Sequence, residues 1–296
     1  MNLIKLMGIL EIQATSYDQF RIFARIIREI KTIENCSYYV NKGNIYATKG
    51  RADGFPCMVA HMDTVHNIAE DLTAVRVGRN IFGVNQATMM QSGIGGDDKV
   101  GIFIALECLR LFENIKVAFF RDEETGCEGS YEADASFFED CNFVLQCDRR
   151  GHQDFIVEAG GVELSSTRFQ SELNPLLDQF DYQLASGLPT DVMALKELGI
   201  GCSMANLSCG YFNPHTVHEF VNIDCVEHCL NLVIAIIHQI GTIKFPHLPE
   251  LPKSLSVVSK YSTTDGALFC LDCWAPDPTH TGYCKACNKY YELMMK

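Results

Sequence analysis

Positive charge is scarce: 24 Lys and Arg stand against 37 Asp and Glu, a formal net charge of −13. Nothing in the main body of such a chain would neutralise a phosphate backbone, which argues against broad nucleic-acid binding and favours a basic or neutral substrate. Apolar runs long enough to cross a bilayer are also lacking. The longest one after the N-terminus, Cys229 to Ile240, is interrupted by Asn231 and His238. Met1 to Leu10 is apolar but short, carries Lys5, and meets Glu11 without a small-residue cleavage site. A secretory signal is therefore not expected, and the cytoplasm is the expected compartment. Internal repeats and low-complexity tracts are missing too. Of the 14 cysteines, ten are scattered through the first 229 residues without the spacing of a secreted disulfide framework, and they read as small buried hydrophobes.

What is present suffices for a full core: 296 residues, 47% of them hydrophobic. Ser16 and Gln19 look like a capping box ahead of Phe20, Phe23, Ile27 and Ile30 at helical spacing. Tyr38 to Val40 and Asn44 to Ala47 flank Lys42-Gly43 as a hairpin, and Pro56 to Ala60 reads as a buried strand ending at His61. Past Gly93-Ile94-Gly95-Gly96, Val100 to Phe112 has helical periodicity. Ile115 to Phe120 is then an apolar strand stopping at Arg121-Asp122-Glu123-Glu124, and Phe143 to Gln146 stops likewise near Asp148. Asn222 to Ile240 reads as the last core helix. Alternating strands and helices predict an α/β fold, a mostly parallel sheet sandwiched by helices, whose ligands bind beyond the carboxyl ends of the strands.

Metal-ligand side chains cluster in five segments: His61-Met62-Asp63, Gly96-Asp97-Asp98-Lys99, Asp122-Glu123-Glu124-Thr125-Gly126, Cys147-Asp148-Arg149, and Asn213 to Glu219. Adjacent acids are ordinarily a solvated turn. Three of these clusters, however, directly follow apolar strands, where unpaired carboxylates would repel one another unless a cation neutralised them.

The order and spacing of HMDT at 61–64, GGDDKVG at 95–101, DEETG at 122–126 and NPHTVHEF at 213–220 resemble the M20 metallopeptidases of the co-catalytic zinc exopeptidase clan, the peptidase T-like members above all. The resemblance covers roughly residues 10 to 240. It implies that Asp97 bridges two zinc ions (or cobalt or manganese), with His61 and Asp148 completing one site and Glu124 and His215 the other. It also implies that Glu123 is the general base and that Asp63 accepts the N–H of the His61 ring. His218 and Glu219 repeat an H-x-x-H-E pattern of that family, so a swap of ligand from His215 to His218 stays open. Thr190-Asp191 stands where the family has a GTD segment near the substrate, without its glycines. Asp148 and His215 are only 67 positions apart, too few for the lid and dimerisation domain that the family normally inserts there.

Cys270-x-x-Cys273 and Cys284-x-x-Cys287 form two knuckles whose four thiolates can surround one structural zinc. The sequence thus divides into a di-zinc peptidase domain at 1–245, a linker at 246–264 and a zinc ribbon at 265–296. Lys285, Lys289 and Lys296, with Trp274, Tyr283, Tyr290 and Tyr291, give the ribbon a mildly basic, aromatic character suited to a protein or nucleic-acid partner. The expected activity is that of a metal-dependent exopeptidase on short peptides, an aminopeptidase whose acidic cleft draws a cationic N-terminus; no membrane partner is expected. Two other readings use the same residues: an amidase or deacylase on N-acylated small molecules, and a non-catalytic binding protein acting through the ribbon. Retention of Glu123 beside a full ligand set argues against the last.

Overall fold

The computed structural model describes residues 1–68 and 71–249. In chain order the elements are α1 (Leu3–Leu10), α2 (Phe20–Ile30), β1 (Cys36–Asn41), β2 (Asn44–Lys49), β3 (Phe55–His61), β4 (Leu72–Val77), β5 (Asn80–Asn85), β6 (Met90–Ser92), α3 (Gly96–Leu111) and β7 (Ile115–Phe120). They continue with α4 (Glu128–Tyr131), β8 (Cys141–Arg149), β9 (Asp154–Ala159), β10 (Val162–Glu163), α5 (Thr167–Gln179), β11 (Gln183–Gly187), α6 (Asp191–Glu197), β12 (Ser203–Ser208), β13 (Tyr211–Phe212), β14 (Phe220–Asn222) and α7 (Ile223–Ile240).

Nine strands form the main sheet in the order β1-β2-β7-β3-β8-β12-β9-β10, with β11 added to β9. The expected parallel arrangement holds for β7, β3, β8 and β12 and for the β11–β9 pair; β1–β2, β2–β7, β12–β9 and β9–β10 are antiparallel. The sheet is therefore mixed rather than mostly parallel, because hairpins close its flanks. The predicted Lys42-Gly43 hairpin is one of them: Asn41 pairs with Asn44, and both turn residues take positive φ, as a two-residue turn of that twist requires. Every residue of β3 is buried, with α3 packed on β7, β3 and β8 and α6 on β3, β8 and β12, so both faces of the central strand are covered. Pro56 has no N–H to give the ladder, and the β3–β8 register slips between Phe55 and Pro56.

A second sheet of five strands, β13-β14-β5-β4 with β6 on β5, was not legible in the sequence. It includes strands of only two and three residues, too short to show a period. Between Asp148 and His215 the chain builds β9 to β13, α5 and α6, all but β13 of those strands belonging to the main sheet. No inserted domain separates the two residues.

The N-terminus departs from expectation in an informative way. Helix α2 begins at Phe20, but its buried residues are Ile22, Ile26 and Ile30, while Phe20 is largely exposed. Gln19 stands at the N-cap position but makes no side-chain hydrogen bond to the helix, and Ser16 lies ahead of it. The Ser16 hydroxyl donates to Asp63 Oδ2 at 2.7 Å and the Gln19 amide donates to Asp122, because both side chains are drawn to carboxylates of the site loops. Helix α7 is long and apolar enough to cross a membrane by length and composition; here Val226, Cys229, Leu230, Val233 and Ile237 are buried in the core. Of the ten cysteines described, eight are buried, with Cys36 and Cys225 partly so. Pro246 and His247, expected to open the linker, lie against 201–202: Pro246 bridges Cys202, and the His247 N–H donates to Gly201 O at 3.0 Å. The expected ribbon at 265–296, with Cys270, Cys273, Cys284 and Cys287, and most of the expected linker fall outside the described residues.

Candidate metal centre

The chemistry-bearing segments converge at the carboxyl ends of the central parallel strands. His61 is the last residue of β3, Glu123 and Glu124 follow β7, Asp148 lies near the end of β8, and Asp97 opens α3. His215 comes from the loop between β13 and β14, in left-handed backbone with φ 61°. The Gly95-Gly96 pair makes room for the Asp97 turn. Gly95 has φ 65°, and a Cβ on Gly96 would come within 2.7 Å of Tyr211 Cβ.

Asp97 faces both ways. Its Oδ1 lies 3.2 Å from His61 Nε2 and its Oδ2 lies 3.3 Å from His215 Nε2. Asp148 Oδ1 is 3.5 Å from His61 Nε2, and Glu124 Oε2 is 3.2 Å from His215 Nε2. Two triads result, His61–Asp97–Asp148 and Asp97–Glu124–His215, each with its donor atoms within 4.8 Å of one another. These are the five residues that the motif resemblance implies as ligands. His218 joins neither triad; it is exposed, and its main chain bonds Thr216 and Asn213.

The surroundings hold this geometry. His61 Nδ1 lies 3.0 Å from the main-chain carbonyl of Asp63, while the Asp63 carboxylate stands 3.4 Å away. That carboxylate instead accepts the N–H groups of Glu123 at 2.9 Å and Glu124 at 3.2 Å, so Asp63 orients the histidine chiefly through its backbone and the glutamate loop through its side chain. Glu123 Oε2 is 3.9 Å from His61 Nε2, and the Cys127 thiol donates to Glu123 Oε1 at 3.5 Å. Buried Glu219 accepts the N–H of Gly95 at 2.6 Å and of Asp97 at 3.1 Å, with His66 Nε2 2.7 Å away. Lys99, also buried, donates to the carbonyls of Leu10 and Ile12. Asn206 brackets the Asp148 backbone, and the Tyr211 hydroxyl donates to Asp148 Oδ1 at 3.3 Å. Glu219, Cys127, Asn206 and Tyr211 carry no signal of this role in the sequence, since their partners are distant along the chain or ordinary core neighbours.

Its fold is shared with solved aminopeptidases. The chain superposes on aminopeptidase PepT from Bacillus cereus with TM-score 0.67 and 14% identity, over 80% of this chain and 97% of that one. A tripeptidase from Staphylococcus aureus gives 0.63 and 14%, over 79% and 96%. The TET1 peptidase of Pyrococcus horikoshii, which can assemble into a tetrahedron or a large octahedral shell, gives 0.59 and 15%, over 79% and 98%. No protein-family model and no curated protein matches the sequence. At these identities the likeness establishes the fold, and the chemistry has to be argued from the residues.

Electrostatics favours a cation at the centre. Burial, then the neighbouring Asp97 charge, pushes Asp148 up to about 8 against the opposing pull of His61. Burial raises Glu123 well above the usual carboxylate range, with Asp148, Asp191 and Glu124 adding to it; burial also holds Asp98 well above that range and raises Glu124. Burial alone would lower the histidines, but Asp148, Asp63 and Asp97 raise His61, and Asp97 and Glu124 raise His215 to about 11. Among the described residues Glu124 Oε1 is buried without a hydrogen-bond partner. An orphaned carboxylate oxygen, two imidazoles and three mutually repelling carboxylates suit a pair of divalent cations such as zinc, cobalt or manganese.

A stability prediction follows for the metal-free chain. The raised carboxylates stay protonated in the folded state at pH values where the unfolded chain, with pKa values near 4, has released its protons. The folded state then binds more protons, so stability falls as pH rises; raised His61 and His215 act in the same sense above about pH 6.5. Calorimetry in a chelator should show the melting temperature dropping between about pH 5 and 7, with zinc raising it more at the upper end. A metal-free melting temperature that rises across this window would contradict the assignment of the cluster.

Proposed function

We propose that the chain is a metal-dependent exopeptidase, an aminopeptidase acting on short peptides, with two divalent ions held by His61, Asp97 and Asp148 and by Asp97, Glu124 and His215. The observation that carries this reading is the placement of the two oxygens of Asp97 toward two separate triads, with Glu123 beside them and bound to neither. Bound there, a cation pair supplies an acidified water and polarises a substrate carbonyl.

The chain's own residues do the rest. Glu123 accepts a proton from the attacking water and delivers it to the leaving amine. Its burial raises its affinity for that proton, and Cys127 on Oε1 leaves Oε2 toward the His61 side. Asp63 fixes the position of the Glu123–Glu124 loop. The acidic chain attracts the protonated amino terminus of a peptide. The peptidases that share the fold, and the motif resemblance to peptidase T-like M20 enzymes, support the same reaction class. Cys270, Cys273, Cys284 and Cys287 form, in this proposal, a separate structural zinc ribbon at 265–296, outside the catalytic domain.

The test is a panel of short peptides with free or blocked amino termini, offered to zinc-, cobalt- or manganese-loaded protein. Free-amine peptides should be cleaved from the N-terminus and blocked ones spared. Cleavage confined to N-acylated small molecules would assign a deacylase instead, and no hydrolysis with any metal would leave only a binding role.

A further inference from the structure

Thr190-Asp191 has no part in the reaction described above, yet it lies against one of the proposed ligands. Thr190, Asp191 and Gln146 are 4%, 0% and 0% exposed. The Thr190 hydroxyl is 3.0 Å from Asp148 Oδ2 and 3.0 Å from Gln146 Oε1. The orientation of the Gln146 amide is settled by its neighbours: the Val192 N–H, which can only donate, points at Gln146 Oε1 at 3.2 Å. Gln146 Nε2 therefore faces two carboxylates, donating to Asp148 Oδ2 at 3.2 Å and to Asp191 Oδ2 at 3.0 Å. With its one proton given to the carboxylate, the Thr190 hydroxyl joins Gln146 Nε2 on Oδ2, so both donors from this side fall on that oxygen. Asp148 Oδ1 faces His61, 3.5 Å from its Nε2, inside the first triad, with the Tyr211 hydroxyl 3.3 Å away on another side.

We infer that Thr190 and Gln146, the latter locked in place by Asp191 and the Val192 N–H, are positioning residues that hold Asp148 so that Oδ1 alone is presented to the ion of the His61–Asp97–Asp148 triad. This rests on the proposed two-ion reading. Among the described residues the second triad has no counterpart to this brace, since Glu124 Oε1 is buried with no hydrogen-bond partner there. A network of buried donors around one ligand and not the other makes the two ion positions depend on different residues. It also gives the TD dipeptide a task that needs no flanking glycine, because it works through a threonine hydroxyl and a carboxylate rather than through close backbone approach.

Zinc titration of the full chain, with the occupancy at each triad read by anomalous scattering, tests this without reference to turnover. Thr190→Val removes the hydroxyl at nearly constant volume. It should weaken zinc at the His61–Asp97–Asp148 triad by about ten- to a hundredfold, the range for partners of metal ligands, and leave the Asp97–Glu124–His215 triad as in the parent. Thr190→Ser keeps the hydroxyl and should retain the parent affinity at both. Gln146→Met removes the donor from the other side and should reproduce the selective loss, so a poorly folding valine variant does not end the test. Unchanged affinity in both Thr190→Val and Gln146→Met, or equal weakening at both triads, overturns the inference. Failure of the parent chain to bind two ions would instead overturn the two-ion reading beneath it.

Discussion

Glu123→Gln should leave the metal content at the parent value and lower kcat by at least about a hundredfold, the smaller end of what a positioned general base contributes. The carboxamide keeps the volume of the side chain and can still meet the Cys127 thiol, but it cannot accept and return a proton. Its loop stays in place because the bonds that hold it run from the Glu123 and Glu124 N–H groups to Asp63 and do not involve the Glu123 side chain. KM should therefore change far less than kcat, the pattern expected when an interaction made only in the transition state is removed. Steady-state kinetics on a free-amine dipeptide, together with elemental analysis, checks both halves. Activity within about tenfold of the parent would remove Glu123 from the role of base.

Asp97→Asn and His215→Ala should separate the two ion positions. Asp97 belongs to both triads through different oxygens, so loss of its charge is expected to empty both and to abolish hydrolysis, with kcat/KM down by more than about a hundredfold, the upper end of the effect of altering a ligand's supporting partners alone. His215 belongs to one triad only and comes from a loop outside the central strands. His215→Ala should retain about one equivalent at His61–Asp97–Asp148, read by elemental analysis in a background in which Cys270, Cys273, Cys284 and Cys287 are replaced. Equal loss of metal in the two variants would show that Asp97 does not bridge.

How much of this was legible in the sequence depends on the range of the interactions. His61, Glu123, Glu124 and Asp148 could be found because each closes or follows an apolar strand, and the end of a buried strand is a local signal. Asp97 could be found because glycines precede it and an apolar helix follows. The supporting groups were hidden for the opposite reason. Glu219 holds the Gly95–Asp97 turn from more than a hundred positions away, and within the H-x-x-H-E pattern it looks like one more ligand. Ser16 and Gln19 mimic a helix cap so well that local reasoning assigns them to one, whereas a charged carboxylate elsewhere in the fold is the stronger partner for each. The β1–β2 hairpin is legible in Lys42-Gly43; the antiparallel β12–β9–β10 flank is not, because apolar periodicity carries no pairing direction, and several strands of the second sheet are too short for any period to show.

Zinc-edge anomalous scattering from crystals of the Glu123→Gln chain grown with zinc tests the central claim most directly, because the substitution removes turnover while leaving every proposed ligand in place. The account expects two peaks at the ends of the central strands, one within reach of His61 and Asp148, the other within reach of Glu124 and His215, with Asp97 contacting both. A single peak there, or two peaks that do not share Asp97, would contradict it.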